Sequence, residues 1–201
     1  MFFETAHHMI YTTLHCDVNF CHLVAHYGDN NTAYGALVDL DLASVSETTG
    51  QSHHGRRTGT RRFMARELLV KEPPLHLERF DWESFFYVLC WIGTHYLKGA
   101  KIDTTAFRNW DTDDDSTLRD LKLLLLQGPS STLFPLFSGF YQPMLVDWII
   151  PIQRMYGAVG QKEFEHELAK RMSPRADVPE IDTETLGGCV TWEKLWQIFQ
   201  K

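Results

Sequence analysis

The chain reads as a mainly helical, α+β protein with one short β hairpin near its start. Three observations carry this reading. The run Phe85-Phe86-Tyr87-Val88-Leu89-Cys90-Trp91-Ile92 leaves no polar face across two turns, and a helix apolar all round lies in the interior of a domain with others packed about it. Further helical stretches at 116–127, 140–157, 160–172 and 191–200 fill much of the rest. Two short apolar or β-prone stretches, 23–25 and 36–40, flank Gly28-Asp29-Asn30-Asn31. That turn-rich tetrapeptide between them predicts a hairpin.

Taken in order, residues 1–14 suit the end of a helix. The segment 46–62, rich in Ser, Thr, Gly, His and Arg, is a long loop of the kind that more often serves function than decoration. Pro73-Pro74 marks a second loop ending near Asp81. The buried helix is expected over 81–96, with Asp81 and Glu83 favouring the positive end of its dipole. An acidic run through Asp113, Asp114 and Asp115 precedes the helix 116–127, for which Ser116 is the expected N-cap. Gly128-Pro129 ends it. Pro143 and Pro151 should limit the helix at 140–157, because proline lacks the amide proton and its ring clashes with the preceding turn. There are no internal repeats.

Length and composition narrow the function classes. At 201 residues, 44% hydrophobic and 13% aromatic, the chain suits one domain spanning 1–201 with a sizeable core. A net charge of −7 argues against a general nucleic-acid binder. No apolar run approaches the ~20 residues of a membrane span. The N-terminus lacks the basic and apolar regions of a secretory signal. Four cysteines, Cys16, Cys21, Cys90 and Cys189, are too sparse for a disulfide scaffold, so an intracellular, reducing compartment, cytoplasm or nucleus, is expected.

Four elements carry the chemistry. They are Leu14-His15-Cys16-Asp17, then Ala36-Leu37-Val38-Asp39-Leu40-Asp41-Leu42-Ala43. Next come Gly59-Thr60-Arg61-Arg62-Phe63-Met64-Ala65-Arg66-Glu67 and Arg79-Phe80-Asp81-Trp82-Glu83-Ser84-Phe85-Phe86-Tyr87-Val88-Leu89. In order and spacing they resemble the catalytic loop, metal-binding segment, end of the activation segment and central helix of a eukaryotic-type protein kinase. The wording is closest to the fungal-type protein kinases, and the resemblance is strongest from about 14 to 92.

That resemblance implies the C-terminal lobe of the protein-kinase fold and ATP- and Mg²⁺-dependent phosphorylation of protein Ser/Thr hydroxyls. Asp17 matches the aspartate that accepts the substrate proton, and Asp39 the aspartate that binds Mg²⁺. Asp81 matches the aspartate that ties the central helix to the catalytic-loop backbone. Glu67 matches the glutamate that takes a buried arginine, although the sequence does not say which one. The partners implied are a protein substrate or protein partner, with no nucleic acid and no membrane.

The departures are informative. His22 stands where an asparagine holds a second Mg²⁺, and an imidazole nitrogen suits that hard cation poorly. Cys16 replaces an arginine that pairs with a phosphorylated activation segment, Asn19 a lysine usual in Ser/Thr kinases, and Arg66 a proline. Upstream of residue 14 there is no room for the Gly-rich loop, lysine and glutamate of the small lobe. The N-lobe is therefore expected to be absent unless a longer product or a partner supplies it. The expected outcome is a chain weak or inactive alone, with a non-catalytic pseudokinase or interaction scaffold as the alternative.

Two further readings stay open. His15, Cys16, Cys21, His22 and His26 fall within twelve residues, but Cys-x₄-Cys lies just outside the commonest zinc spacing. Arg56, Arg57, Arg61, Arg62 and Arg66 form a basic stretch, either a solvated loop or a dock for an acidic partner.

Overall fold

The computed structural model describes residues 13–28, 32–45, 59–111, 114–172 and 178–200. They are mainly helical, with small antiparallel sheets and short strands near the start. Cα packing divides the chain into two compact units, residues 1–92 with 107–119 and residues 93–106 with 120–201.

In the first unit, strand β1 (Thr13–Leu14) is followed by the hairpin β2 (Leu23–Tyr27) and β3 (Ala33–Leu37), then by β4 (Ser44–Val45). The hairpin register runs from Leu23 opposite Leu37 to Tyr27 opposite Ala33, and its turn residues 29–31 lie outside the described residues. Thr13 and Leu14 are not the end of a helix, because both pair antiparallel with β4. The rest of that expected helix, residues 1–12, lies outside the described residues, as do 46–58 of the long loop.

Helix α1 (Glu78–His95) starts three residues earlier than the sequence suggests. Phe80, Phe86, Tyr87, Val88 and Cys90 are fully buried along it, so the apolar run is core. Asp81 and Glu83 do more than face a dipole, since both accept hydrogen bonds from distant backbone. Tyr87 stacks edge-on against Trp110 at 5.3 Å, and Phe63 against Trp91 at 5.9 Å.

In the second unit, β5 (Tyr96–Leu97) and β6 (Ala100–Lys101) form a second tight hairpin. Helix α2 (Asp115–Gln127), of which residues 115–119 belong to the first unit and the rest to the second, is capped by Asp114 rather than Ser116. Its carboxylate accepts the amides of Ser116 at 3.2 Å and Thr117 at 3.1 Å, which places Ser116 inside the first turn. The buried Gln153 side chain donates to the Leu125 carbonyl at 2.6 Å and accepts from the Ser130 hydroxyl at 2.7 Å. It thereby satisfies a carbonyl that the helix end would otherwise orphan.

The two helices expected at 140–157 and 160–172 are one continuous run. It comprises α3 (Gln142–Met144), a π turn (Leu145–Ile149) and α4 (Ile150–Met172). Pro143 sits in the first turn, where no amide is needed. Pro151 is the second residue after the π turn, whose wider spacing absorbs the bond that proline cannot make. Helix α5 (Trp192–Phe199) is N-capped by the Thr191 hydroxyl, which accepts from the Lys194 amide at 3.4 Å. No helix among the described residues is long and apolar enough to cross a membrane.

Candidate functional site

The site is built on the loop between β1 and β2, and that loop is held from below by helix α1. The Asp81 carboxylate accepts the amide of His15 at 2.7 Å through Oδ2 and the amide of Cys16 at 3.1 Å through Oδ1. His76 Nε2 approaches the same Oδ1 at 2.9 Å. Burial alone would lower the His76 pKa. The hydrogen bond and charge of Asp81, joined by the Cys16 side chain, outweigh it and raise the ring from 6.5 to about 10. An imidazolium therefore closes the anchor.

Two residues at this loop and its neighbour carry left-handed backbone, Cys16 at φ 64° and Asp39 at φ 67°. Each turns the chain sharply at an acidic position or beside one. Gly59 answers the first bend. It holds φ 101°, and a Cβ there would lie 2.7 Å from the Cys16 carbonyl oxygen. Only glycine allows that approach.

Asp17 follows Cys16 and is largely enclosed. Its Oδ1 accepts the Thr60 amide at 2.6 Å. Asn19 donates from Nδ2 to the Thr60 hydroxyl at 3.1 Å, and its Oδ1 accepts the Cys21 amide at 2.8 Å. Thr60 is thus fastened to the loop between β1 and β2 through two side chains.

His22 joins the two candidate acids. Its Nδ1 lies 2.9 Å from the Asp17 carbonyl oxygen and its Nε2 3.1 Å from Asp39 Oδ2. The Asn19 amide nitrogen is 3.1 Å from both ring nitrogens, so it faces the ring between them and lies along neither lone-pair axis. Asp39 is held from its other side by backbone. The Val38 amide donates to the His22 carbonyl at 2.9 Å, and the Val38 carbonyl lies 3.1 Å from His15 Nε2. The Asp39 side chain remains 48% exposed, which leaves it within reach of a ligand.

Below the site, Glu67 takes Arg79 in a two-bond pair, 2.7 Å on each side. Arg79 is 4% exposed and lies 4.3 Å from the Phe80 ring centroid, so it is the buried arginine that the sequence left unnamed. The basic stretch is not free-standing in solvent. Arg61 pairs with Asp115 at 2.7 Å, while Arg62 pairs with Asp111 and lies over the Trp91 ring at 4.2 Å. Arg56 and Arg57 lie outside the described residues.

Three residues that matter here are not marked by sequence pattern as site residues: His76, Thr60 as an anchor of Asp17, and Glu83. Glu83 accepts the Arg66 amide at 2.6 Å and the Tyr87 hydroxyl at 2.7 Å. The signal for Glu83 is a carboxylate two residues before the apolar run 85–92, where burial demands partners.

The donor set fits Mg²⁺ only in part. Asp39 supplies hard oxygen, but residue 22 supplies imidazole nitrogen, which that ion disfavours. Among the described residues, no group of three or more His, Cys, Asp or Glu side chains is placed to hold a metal ion. His26 lies on β2, and Cys21 is exposed and free.

No curated protein matches the chain. A match to a family model does exist, and it spans the anchored loop, the hairpin, both acids, Glu67 and helix α1 as far as Gly93. Residues 5–93 match the family model described as fungal protein kinase.

Proposed function

We propose that the first unit is the catalytic half of a protein-kinase site, built on the helical C-terminal lobe of that fold, which acts on ATP and the hydroxyl of a protein Ser or Thr. One observation supports the reading most directly. Asp17 and Asp39 are held on one anchored loop system and joined through His22. Phosphoryl transfer asks a protein for positioning and charge stabilisation more than for covalent chemistry.

In this reading Asp17 receives the hydroxyl proton. Thr60 holds Oδ1, and Oδ2 lies 4.0 Å from His22 Nδ1, so the carboxylate is oriented before substrate arrives. Asp81 and His76 fix the loop that presents it. Asn19, in place of a lysine, brings no charge to meet the transferred phosphoryl. The electrostatic part of catalysis is correspondingly weaker, and the chain alone is a slow enzyme. The His22–Asp39 contact favours a second reading, a non-catalytic scaffold that keeps the shape of the site.

The test is phosphate incorporation into a generic protein substrate by the purified chain, with Asp17→Asn as control. The enzyme reading expects a low rate that falls about 10²–10⁴-fold in the variant. A cooperatively folded chain with no incorporation above the Asp17→Asn background would leave the scaffold reading.

A further inference from the structure

The second half of helix α4 carries its polarity the wrong way round. Lys162, His166 and Lys170, one helical row at four-residue spacing, are turned toward the segment that follows the helix. Lys162 donates to the Gly187 carbonyl. His166 Nε2 lies 3.6 Å from a Glu180 oxygen, and Lys170 pairs with Glu180 at 2.7 Å. A residue two positions on lies about 160° round the helix. The row there is Phe164, Leu168 and Met172, on the opposite side, and its members are 62%, 44% and 75% exposed. A surface helix normally turns its apolar stripe to the core. Single exposed apolar residues are ordinary, but these three follow one another along about 12 Å of one helix.

The adjoining row is Glu163, Glu167 and Arg171, all exposed. It runs from acidic to basic toward the C-terminal end, as does the neighbouring Lys170. That order complements itself when two copies lie antiparallel, because a two-fold contact sets the same patch of one copy on that of the other. An axis at Leu168 sets Leu168 against itself and Phe164 against Met172, a thioether-to-ring contact. Arg171 then falls between Glu163 and Glu167 of the second copy, about 3 Å along the axis from each. A parallel pair would bring the two acidic ends together, which like charges oppose.

We infer that this stripe is a self-association face, on which two copies of the chain pair their α4 helices antiparallel about Leu168. The occupant is a second copy because the charged row matches its own reverse. The contact is one half-helix from each chain, so the dimer is weak, with a dissociation constant on the order of 10–100 μM. No residue of the proposed kinase site takes part.

The experiment is sedimentation equilibrium of the whole chain at concentrations bracketing that constant, with thermal unfolding to show that each variant is folded. The unaltered chain should pass from the mass of one chain to that of two as concentration rises. Leu168→Glu sets two like charges at the axis and should weaken the dimer at least about tenfold. Glu163→Lys with Glu167→Lys makes the charged row wholly basic, and Arg171→Glu makes it wholly acidic. Each of these should associate less than the parent, and an equimolar mixture of the two should recover a mixed dimer. Their positions are exposed, so they decide the matter alone if Leu168→Glu fails to fold. A chain that stays monomeric at the highest concentration overturns the inference and leaves the stripe to a different partner. A dimer unchanged by Leu168→Glu overturns it too, as does a mixture that associates no better than its components.

Discussion

Asp81, on helix α1, accepts the backbone amide of His15 at 2.7 Å across 66 residues of sequence. With the Cys16 amide and His76 it makes one carboxylate the common acceptor for three donors. The loop bearing Asp17 is therefore positioned through its main chain by a carboxylate on helix α1.

Asp81→Asn should destabilise the fold. Replacing the buried carboxylate weakens charge-assisted bonds, and the amide brings a donor where acceptors are needed. We expect a loss of about 2–4 kcal/mol in urea unfolding. Amide hydrogen exchange at His15 and Cys16 should rise in the same variant. Unchanged exchange at both would show that the anchor lies elsewhere.

Stability should depend on His76 above neutrality. Its folded pKa is raised from 6.5 to about 10, so the protonated ring contributes fully below pH 6.5. That contribution declines above 6.5 and is lost as pH passes through about 10. Thermal midpoints measured from pH 6 to pH 10 should fall in the native chain and fall less in His76→Gln. Parallel curves would contradict the assignment.

The Glu67–Arg79 pair should be worth more than a surface ion pair. Arg79 is buried and held by two bonds. Glu67→Ala takes away that partner and should cost about 2–3 kcal/mol. Arg79→Lys, with Glu67 intact, should retain only part of the pair's contribution, because an ammonium cannot reproduce the two-bond fork. A double-mutant cycle over these positions measures the coupling.

Gly59→Ala should be costly despite the change being a single methyl. The added Cβ meets the Cys16 carbonyl at 2.7 Å, on a backbone at φ 101°. About 1–3 kcal/mol is expected from the strained backbone, with the Thr60–Asp17 bond disturbed first. A thermal midpoint equal to that of the parent would mean the loop shifts freely.

Much of this is legible in the sequence. The run 85–92 can only be core, and the hairpin follows from its turn residues. Asp81 and Glu67 stand out because their neighbours match a known frame. Partners twelve or more residues away are less visible. Arg79 is one arginine among several, and nothing in local periodicity links Thr60 to Asp17. The cap of α2 lies two residues before the one the sequence suggests, because Asp114 and Ser116 are both good caps and the choice depends on where the first turn closes. The prolines mislead for a related reason, since each has the look of a break. Pro143 costs no hydrogen bond in a first turn, and the bond missing at Pro151 is absorbed by the π turn before it.

That π turn has a consequence for how the chain tolerates insertion and deletion. A π turn holds one more residue per hydrogen-bonded ring than an α turn. Removing a single residue from 145–149 would let the ring close as ordinary helix while the following segment keeps its facing. The same deletion within 152–156 would rotate the remainder of α4 by about 100° and move Tyr156 and Val159, both buried, off their packed side. Length variation in this helix should therefore be confined to the turn before Ile150, where an extra residue is already stored.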